Sequence, residues 1–310
     1  MSRIGLIGVG ALGAANLSYL LERDPALDLS VIASGHRAER LRCQGVTVNG
    51  VHYAPAVLDP SFPGADRGLL DLILVAVKQH DLDQAMADLE PLVGPDTALV
   101  SLLNGISSEE RLRQRFPQAY VPWAISLGSN AGRDQTGFRY YSLGQLNFGD
   151  SPGQPPSPGR LRLEVILTAC GLPYLAPDDM ERALWKKFIL NVGVNQASAL
   201  LEAPYAPFQV PGSSARALMV AAQAEAFALA QASQVAVTED DLSAILATID
   251  GLDPAGYTSM AQDARFHRPM EIELFADEVV GRSQALGLDA PVNRLIALAL
   301  RAKQETWPKG

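Results

Sequence analysis

The spacing of hydrophobic residues changes character once along the chain, near residue 177. Before that point apolar residues come in short, nearly continuous runs. Residues 3–7, 29–33, 71–77 and 98–102 read as strands buried on both faces, the signature of a parallel sheet rather than of an alternating, half-solvated one, and 172–175 reads as one more short strand. Helical stretches at 14–22, 81–93 and 161–169 lie between them, which predicts crossover connections. From Met180 onward the apolar positions recur every three to four residues and strand signals vanish. Helices are predicted at 180–201, 215–234, 239–249, 271–286 and 291–305, with a short turn near Ser259. Gly287 and the segment Asp289-Ala290-Pro291 supply ordinary stop and start signals between the last two. The fold class expected is therefore an α/β doubly wound parallel sheet followed by an all-α domain. The domains run 1–178 and 179–310. The proline- and glycine-rich stretch 151–159 reads as a surface loop of the first domain rather than as the linker, because one more helix and strand follow it.

Composition narrows the class. With 310 residues, 48% hydrophobic and 19% charged, the chain can bury a sizeable core, and disorder is excluded. A net charge of -9 argues against a nucleic-acid partner and leaves room only for a local basic pocket holding a small anion. No uninterrupted apolar run approaches the roughly 18 residues needed to cross a bilayer, so no membrane partner is expected. Cys43 and Cys170 form no CxxC or metal spacing, which suits a reduced, cytoplasmic setting. His36, His52, His80 and His267 are scattered, and no metal is predicted.

The candidate chemistry begins with Gly8-Val9-Gly10-Ala11-Leu12-Gly13, a GxGxxG turn set between the first strand and the first helix. In that context the first glycine permits a tight turn, the second lets a pyrophosphate approach the backbone, and the third packs helix on strand. The sheet is thus expected to be of Rossmann type. A typical NAD-selective site places an acid at the end of the second strand; here stand Ser34, Gly35, His36 and Arg37. Ser34 and Arg37, with Arg40 one turn on, suit the 2′-phosphate of NADP(H), unless the arginines merely solvate a helix. Lys78 and Asn104-Gly105 fall at the carboxyl ends of strands, where ligands bind in such sheets. Taken singly, each is also an ordinary strand-end charge or turn.

In the helical half, Lys187, Asn191 and Asn195 recur every fourth residue, a net rotation of about 40° per step, and so form one polar stripe. Lys186, Leu190 and Val194 follow the neighbouring stripe. An isolated Lys187 would as readily snorkel to water. Ser259-Met260-Ala261-Gln262-Asp263 and Glu271-Ile272-Glu273 are the other polar exceptions, and Ser259 could simply cap the helix it opens.

Together, the glycine turn, Lys78, Asn104-Gly105, Trp185-x-Lys187-x-x-x-Asn191-x-x-x-Asn195, Ser259-Met-x-Gln-Asp and Glu271 resemble the ketopantoate reductases (2-dehydropantoate 2-reductases) over nearly the whole chain. The resemblance implies an NADPH-dependent reduction of 2-dehydropantoate to pantoate, toward pantothenate, in a cleft between a Rossmann domain and a helical one. It makes Lys187 the acid that protonates the substrate oxygen and Lys78 a dinucleotide contact. Asn104 would touch cofactor and substrate, Asn191, Asn195 and Ser259 would hold substrate, and Glu271 would sit beside the nicotinamide. Three positions depart from the pattern: Ser34 where relatives commonly carry arginine, and Tyr205 and Gly256 where they often carry asparagine. Another small 2-keto or 3-hydroxy acid therefore remains an alternative substrate, and a non-catalytic NADPH sensor a more distant one. A homodimer stays open, since the apolar C-terminal helices could pack internally or against a second subunit.

Overall fold

A computed structural model describes residues 2–61, 68–153 and 155–308. The chain divides into two compact units, Met1–Glu181 and Arg182–Gly310. In the first, β1 (Ile4–Ile7), α1 (Ala11–Arg23), β2 (Leu29–Ile32) and α2 (Gly35–Gln44) are followed by β3 (Val46–Val48), β4 (Val51–Tyr53) and β5 (Ala56–Leu58). Next come β6 (Leu72–Val75), α3 (Leu82–Leu89), β7 (Ala98–Ser101) and α4 (Ser108–Arg115). Strands β8 (Trp123–Leu127), β9 (Asn130–Asp134), β10 (Gly137–Ser142) and β11 (Gln145–Gly149), helix α5 (Pro158–Cys170) and strand β12 (Tyr174–Leu175) complete it.

Five strands pair in parallel in the order β5-β2-β1-β6-β7, so the winding reverses between β1 and β6. Strand alternation sends Leu6, Val31, Leu72 and Leu74 to one face, in a cluster with Leu17 and Leu20 of α1. Ile7, Ile32, Ile73 and Val75 go to the other, with Leu82 and Leu89 of α3 and Leu112 of α4. Both faces are covered, which is why these strands are continuous apolar runs. This is the doubly wound, Rossmann-like sheet expected.

Two further sheets, β4-β3-β10-β9 and β12-β11-β8, were not foreseen, although the strand expected at 172–175 forms as β12 in the second of them, and β5 of the central sheet was not read either. Of the strands in these two sheets, β3, β4 and β12 span only two or three residues and β9 reads Asn-Ala-Gly-Arg-Asp, whereas β8 and β11 are five residues each with buried centres. The helix expected over 81–93 is broken into α3 with 3₁₀ turns at Gln79–Asp81 and Glu90–Leu92, because Pro91 lacks the amide hydrogen a continuing helix needs. At the 151–159 stretch, of which Gln154 lies outside the described residues, Asp150 accepts hydrogen bonds from the Ser157 amide (2.8 Å) and the Tyr120 hydroxyl (2.9 Å). The Ser157 hydroxyl caps α5.

The second unit is helical. Helix α6 (Met180–Leu201) enters it, and α7 (Ala206–Gln209), α8 (Ser214–Ala232), α9 (Glu239–Asp250), α10 (Ser259–Arg265), α11 (Glu278–Ala285) and α12 (Pro291–Glu305) follow. Residues 191–199 of α6 are buried all round, the mark of a central helix. Glu225 of α8 accepts from the backbone amides of Val292 (2.7 Å) and Asn293 (2.9 Å), capping α12 from outside. Ile296, Ala297 and Leu300 of α12 are buried while Leu295 and Leu298 are exposed, so the helix packs inward on one face only. The expected helix 271–286 starts instead with a π-helical turn, Glu273–Asp277, before α11.

Cys43, on α2, is an exposed thiol; Cys170, at the end of α5, is buried, and burial raises its pKa. Among the described residues no cluster of His, Cys, Asp or Glu is arranged to hold a metal, and no helix is long and apolar enough to cross a membrane.

Candidate active site

The first unit carries a cavity of about 760 Å³ beyond the carboxyl ends of β1, β2 and β6. It lies at the switch point of the sheet, where such folds bind ligands. The glycine turn forms one wall, and each glycine is there for a different steric reason. Gly8 sits at φ +96°, and a Cβ on it would lie 2.6 Å from the Ala76 backbone. Gly13 packs against the Gly8 carbonyl so closely that no Cβ fits. Gly10 has open space, with nothing within 4 Å of an added Cβ, the room a group approaching the α1 N-terminus requires.

Of the residues singled out in the sequence, Gly8, Val9, Gly10, Ser34, Arg37, Arg40 and Lys78 line this cavity. Ala11, Leu12 and Gly13 lie in the first turn of α1, behind it. Asn104 is in the turn between β7 and α4, outside the cavity lining. The hairpin β9–β10 brings in Arg133, Gln135 and Thr136, which sequence reasoning missed, although Asp134 to Gly137 is a legible turn signal. Asp81 and Asp88 were also missed. Asp88 accepts from the Ser34 hydroxyl at 3.0 Å and from the Gln84 amide at 3.0 Å, and Asp81 lies 3.8 Å from Arg37. Acid does face the end of β2 after all, contributed by the helical side of the cavity rather than by the strand.

In the second unit the two adjacent lysines of α6 differ. Lys186 is bound to Asp241 of α9 at 2.9 Å, and Arg182 reaches the same carboxylate with contacts of 2.9 and 3.1 Å. The Asp241 side chain is buried and also closes a capping box with Thr238. Burial opposes its charge, but hydrogen bonds from Lys186, the Thr238 amide and Arg182 outweigh that and hold its pKa at about 2. Lys187 lies on the stripe of Asn191 and Asn195, both of them buried.

Two contacts tie the remaining candidates to α6. Ser198, one turn beyond Asn195, shares a 2.7 Å hydrogen bond with the hydroxyl of Thr258. Thr258, not Ser259, caps α10, accepting from the Ala261 amide at 3.0 Å; Ser259 is left exposed in the first turn. Phe275 of the π-turn lies 6.5 Å, ring to ring, from Phe188, bringing the segment after half-buried Glu271 alongside the helix. Tyr205 and Gly256, two of the three departures from the family pattern, prove to be neighbours. A Cβ on Gly256 would lie 3.2 Å from the Tyr205 ring, and the Tyr205 amide donates to the Gly256 carbonyl at 3.0 Å.

Comparison with known proteins adds to this geometry. Residues 4–153 match the family model described as Ketopantoate reductase PanE/ApbA, and residues 179–304 match its C-terminal counterpart. The 2-dehydropantoate 2-reductase of Mycobacterium tuberculosis is 25% identical over 307 residues, covering 97% of this chain and 98% of its own. Among solved structures, a PanE/ApbA family ketopantoate reductase from Ralstonia eutropha is 26% identical, with a TM-score of 0.79 and 98% of each chain covered. The fold is shared equally with D-mandelate dehydrogenase, solved with NADH and anilino(oxo)acetate: 20% identity, TM-score 0.82, 98% of this chain and 99% of that one covered.

Proposed function

The chain belongs to the ketopantoate reductase family, and on that premise we propose that it reduces a small 2-keto acid with NADPH, 2-dehydropantoate being the first candidate. The observation that carries the reading is the polar stripe on α6, in which Lys187 heads the row of buried Asn191 and Asn195.

The bound dinucleotide would supply the hydride to the keto carbon. Everything else falls to side chains of this chain. As the carbonyl gains electrons its oxygen becomes anionic; the Lys187 ammonium stabilises that charge and delivers the proton that completes the alcohol. Asn191, Asn195 and Ser259 would hold the acid, Asn104 would contact both cofactor and substrate, and Glu271 would face the nicotinamide. The glycine turn would hold the pyrophosphate, with Lys78 as a further dinucleotide contact.

Preference for the 2′-phosphate rests on Arg37 and Arg40, now joined by Arg133 on the same cavity. Asp81 and Asp88 oppose it, since a carboxylate favours a ribose hydroxyl over a phosphate. Arginines that can pair with phosphate in a fork outweigh acids already engaged by Arg37 and Ser34. Arg37→Ala is accordingly expected to weaken NADPH binding about tenfold and NADH binding hardly at all, read by titration of cofactor fluorescence.

A second reading, reduction of a different 2-keto acid, is favoured by the Tyr205–Gly256 contact, because both departures remove an amide side chain and Tyr205 sets an aromatic ring beside the glycine. NADPH oxidation measured against a panel of 2-keto acids, aliphatic and aromatic, separates the two. Tight NADPH binding with no turnover of any member would overturn both and leave a sensor.

A further inference from the structure

Resting on the reading that Asn104 contacts cofactor and substrate, we propose that Glu109 is a positioning residue for the Asn104 turn, acting through the hydroxyls of Ser108 and Ser101. The turn between β7 and α4 runs from Leu102 to Ser107, and Glu109 stands in the first turn of the helix behind it. Its side chain is enclosed, with the residue 1% exposed. The Ser108 hydroxyl donates to Oε2 of Glu109 at 2.9 Å. Ser108 and Ser101 Oγ atoms are 2.8 Å apart, and Ser101 Oγ accepts from the amide of Leu103 at 3.2 Å. Leu103 immediately precedes Asn104. A continuous line of hydrogen bonds thus runs from a buried carboxyl group to the backbone on which Asn104 is mounted.

The direction of that line depends on the charge of its terminus. An ionised carboxylate only accepts, so Ser108 must donate to it, Ser101 donates to Ser108, and a lone pair of Ser101 is left for the Leu103 amide. A protonated Glu109 can itself donate to Ser108, and the serines then have two hydrogen-bond orders in place of one. Burial makes the choice titratable: desolvation raises the Glu109 pKa to about 7, while its own amide, Ser108, Arg113 and the Ala124 amide pull the other way. Arg113, one turn along α4, is the charge acting on it. Arg113 lies 3.9 Å over the Trp123 ring and donates to the Val121 carbonyl at 2.9 Å, so it faces Glu109 without hydrogen-bonding to it. Among the described residues Ser108 is the one side chain that hydrogen-bonds to this buried carboxyl group, and an acid so enclosed directly behind a turn that bears a candidate ligand is what the positioning role explains,.

The test is the pH dependence of kcat/KM for the keto acid that the panel identifies. In the unaltered enzyme kcat/KM should fall about tenfold per pH unit below a midpoint near 7, whereas loss of the Lys187 proton limits the alkaline side. Glu109→Gln should abolish that acidic limb and lower the plateau about tenfold or more, the scale of a misplaced contact. Ser101→Ala, which leaves the carboxyl group in place, should lower the plateau in the same direction and have little further effect in an Asn104→Ala background. Should Glu109→Gln fail to fold, the Ser101 variants carry the test. Wild-type plateau and limb in Glu109→Gln, or wild-type rates in Ser101→Ala, overturn the proposal. Asn104→Ala with unaltered kinetics would instead sink the site reading on which it rests.

Discussion

Adjacent lysines on α6 illustrate how much a single position decides. A 100° rotation turns Lys186 toward Asp241 and leaves Lys187 with Asn191 and Asn195,. Lys187→Ala is expected to lower kcat on the order of 10²-fold or more while cofactor affinity stays within error, since a general acid acts on the transition state and not on the dinucleotide. Steady-state rates together with an NADPH titration check this, and an unchanged kcat takes Lys187 out of the mechanism. The polar stripe was legible because a period of four survives any uncertainty in helix ends. Glu109 was not. In Ser107-Ser108-Glu109-Glu110 nothing in the one-dimensional pattern separates the buried acid from its neighbour, which only the packing of α4 against β7 distinguishes. Its raised pKa also predicts a stability effect with a definite sign. The folded state keeps its proton up to about 7, whereas the unfolded chain releases it in the ordinary carboxylate range near 4.5. Stability therefore falls as pH rises between those values and is flat above them. Glu109→Gln should unfold at a higher temperature than the parent at pH 8 and show no such gain at pH 4, as thermal melts at both pH values would reveal.

Among the elements, four of the five strands of the central sheet were readable and β5 was not, while of the flanking sheets only β12, inside the run 172–175, was read. β1, β2, β6 and β7 are covered on both faces and are apolar but for Ser30 and Ser101, so four consecutive residues suffice to mark them,. β9 and β10 are half exposed and pair with each other as a hairpin, but their place in a sheet is set by β3, distant in sequence, against which β10 lies. Helix ends failed where special geometry intervened, at Pro91 and at the π-turn after Glu271. The join of α6 to α9 can be tested directly. Asp241→Asn removes the charge that holds Arg182 and Lys186, and a loss on the order of 2 kcal/mol is expected at pH 7. The figure sits below that of a fully enclosed pair because both cationic side chains are 38% exposed,. Because the Asp241 pKa is depressed to about 2, this contribution is present above the unfolded carboxylate range and disappears as pH falls toward 2. Denaturant midpoints of parent and variant should converge in that window; a gap that persists at pH 2 would refute the assignment.

At the scale of the whole molecule, a chain of net charge -9 gathers Arg37, Arg40, Lys78 and Arg133 around one cavity of the α/β unit. Such local reversal of sign concentrates an anionic dinucleotide where the bulk surface would repel it. A ligand that binds only the folded state at about 100 times its Kd adds roughly 2.7 kcal/mol. NADPH should therefore raise the melting temperature by several degrees, on the scale of about 2–4 °C per kcal/mol for a domain of this size. NADH at equal concentration should raise it less; equal shifts would remove the claim of phosphate preference. The change from strand-like to helix-like spacing announced two compact units, but the cationic rim was visible only in part. Arg37 and Arg40 follow a strand as a motif leads one to look, whereas Arg133 arrives from a hairpin that only tertiary pairing brings to the same opening.

The two thiols offer a practical opening. Cys43 stands exposed on α2, the helix that also carries Arg40 and Gln44 to the cavity wall, whereas Cys170 is shielded. A maleimide dye applied briefly to the native protein would therefore attach at a single place without any engineering. Its emission would serve as an optical gauge of nucleotide arriving at that cavity, recorded separately from turnover.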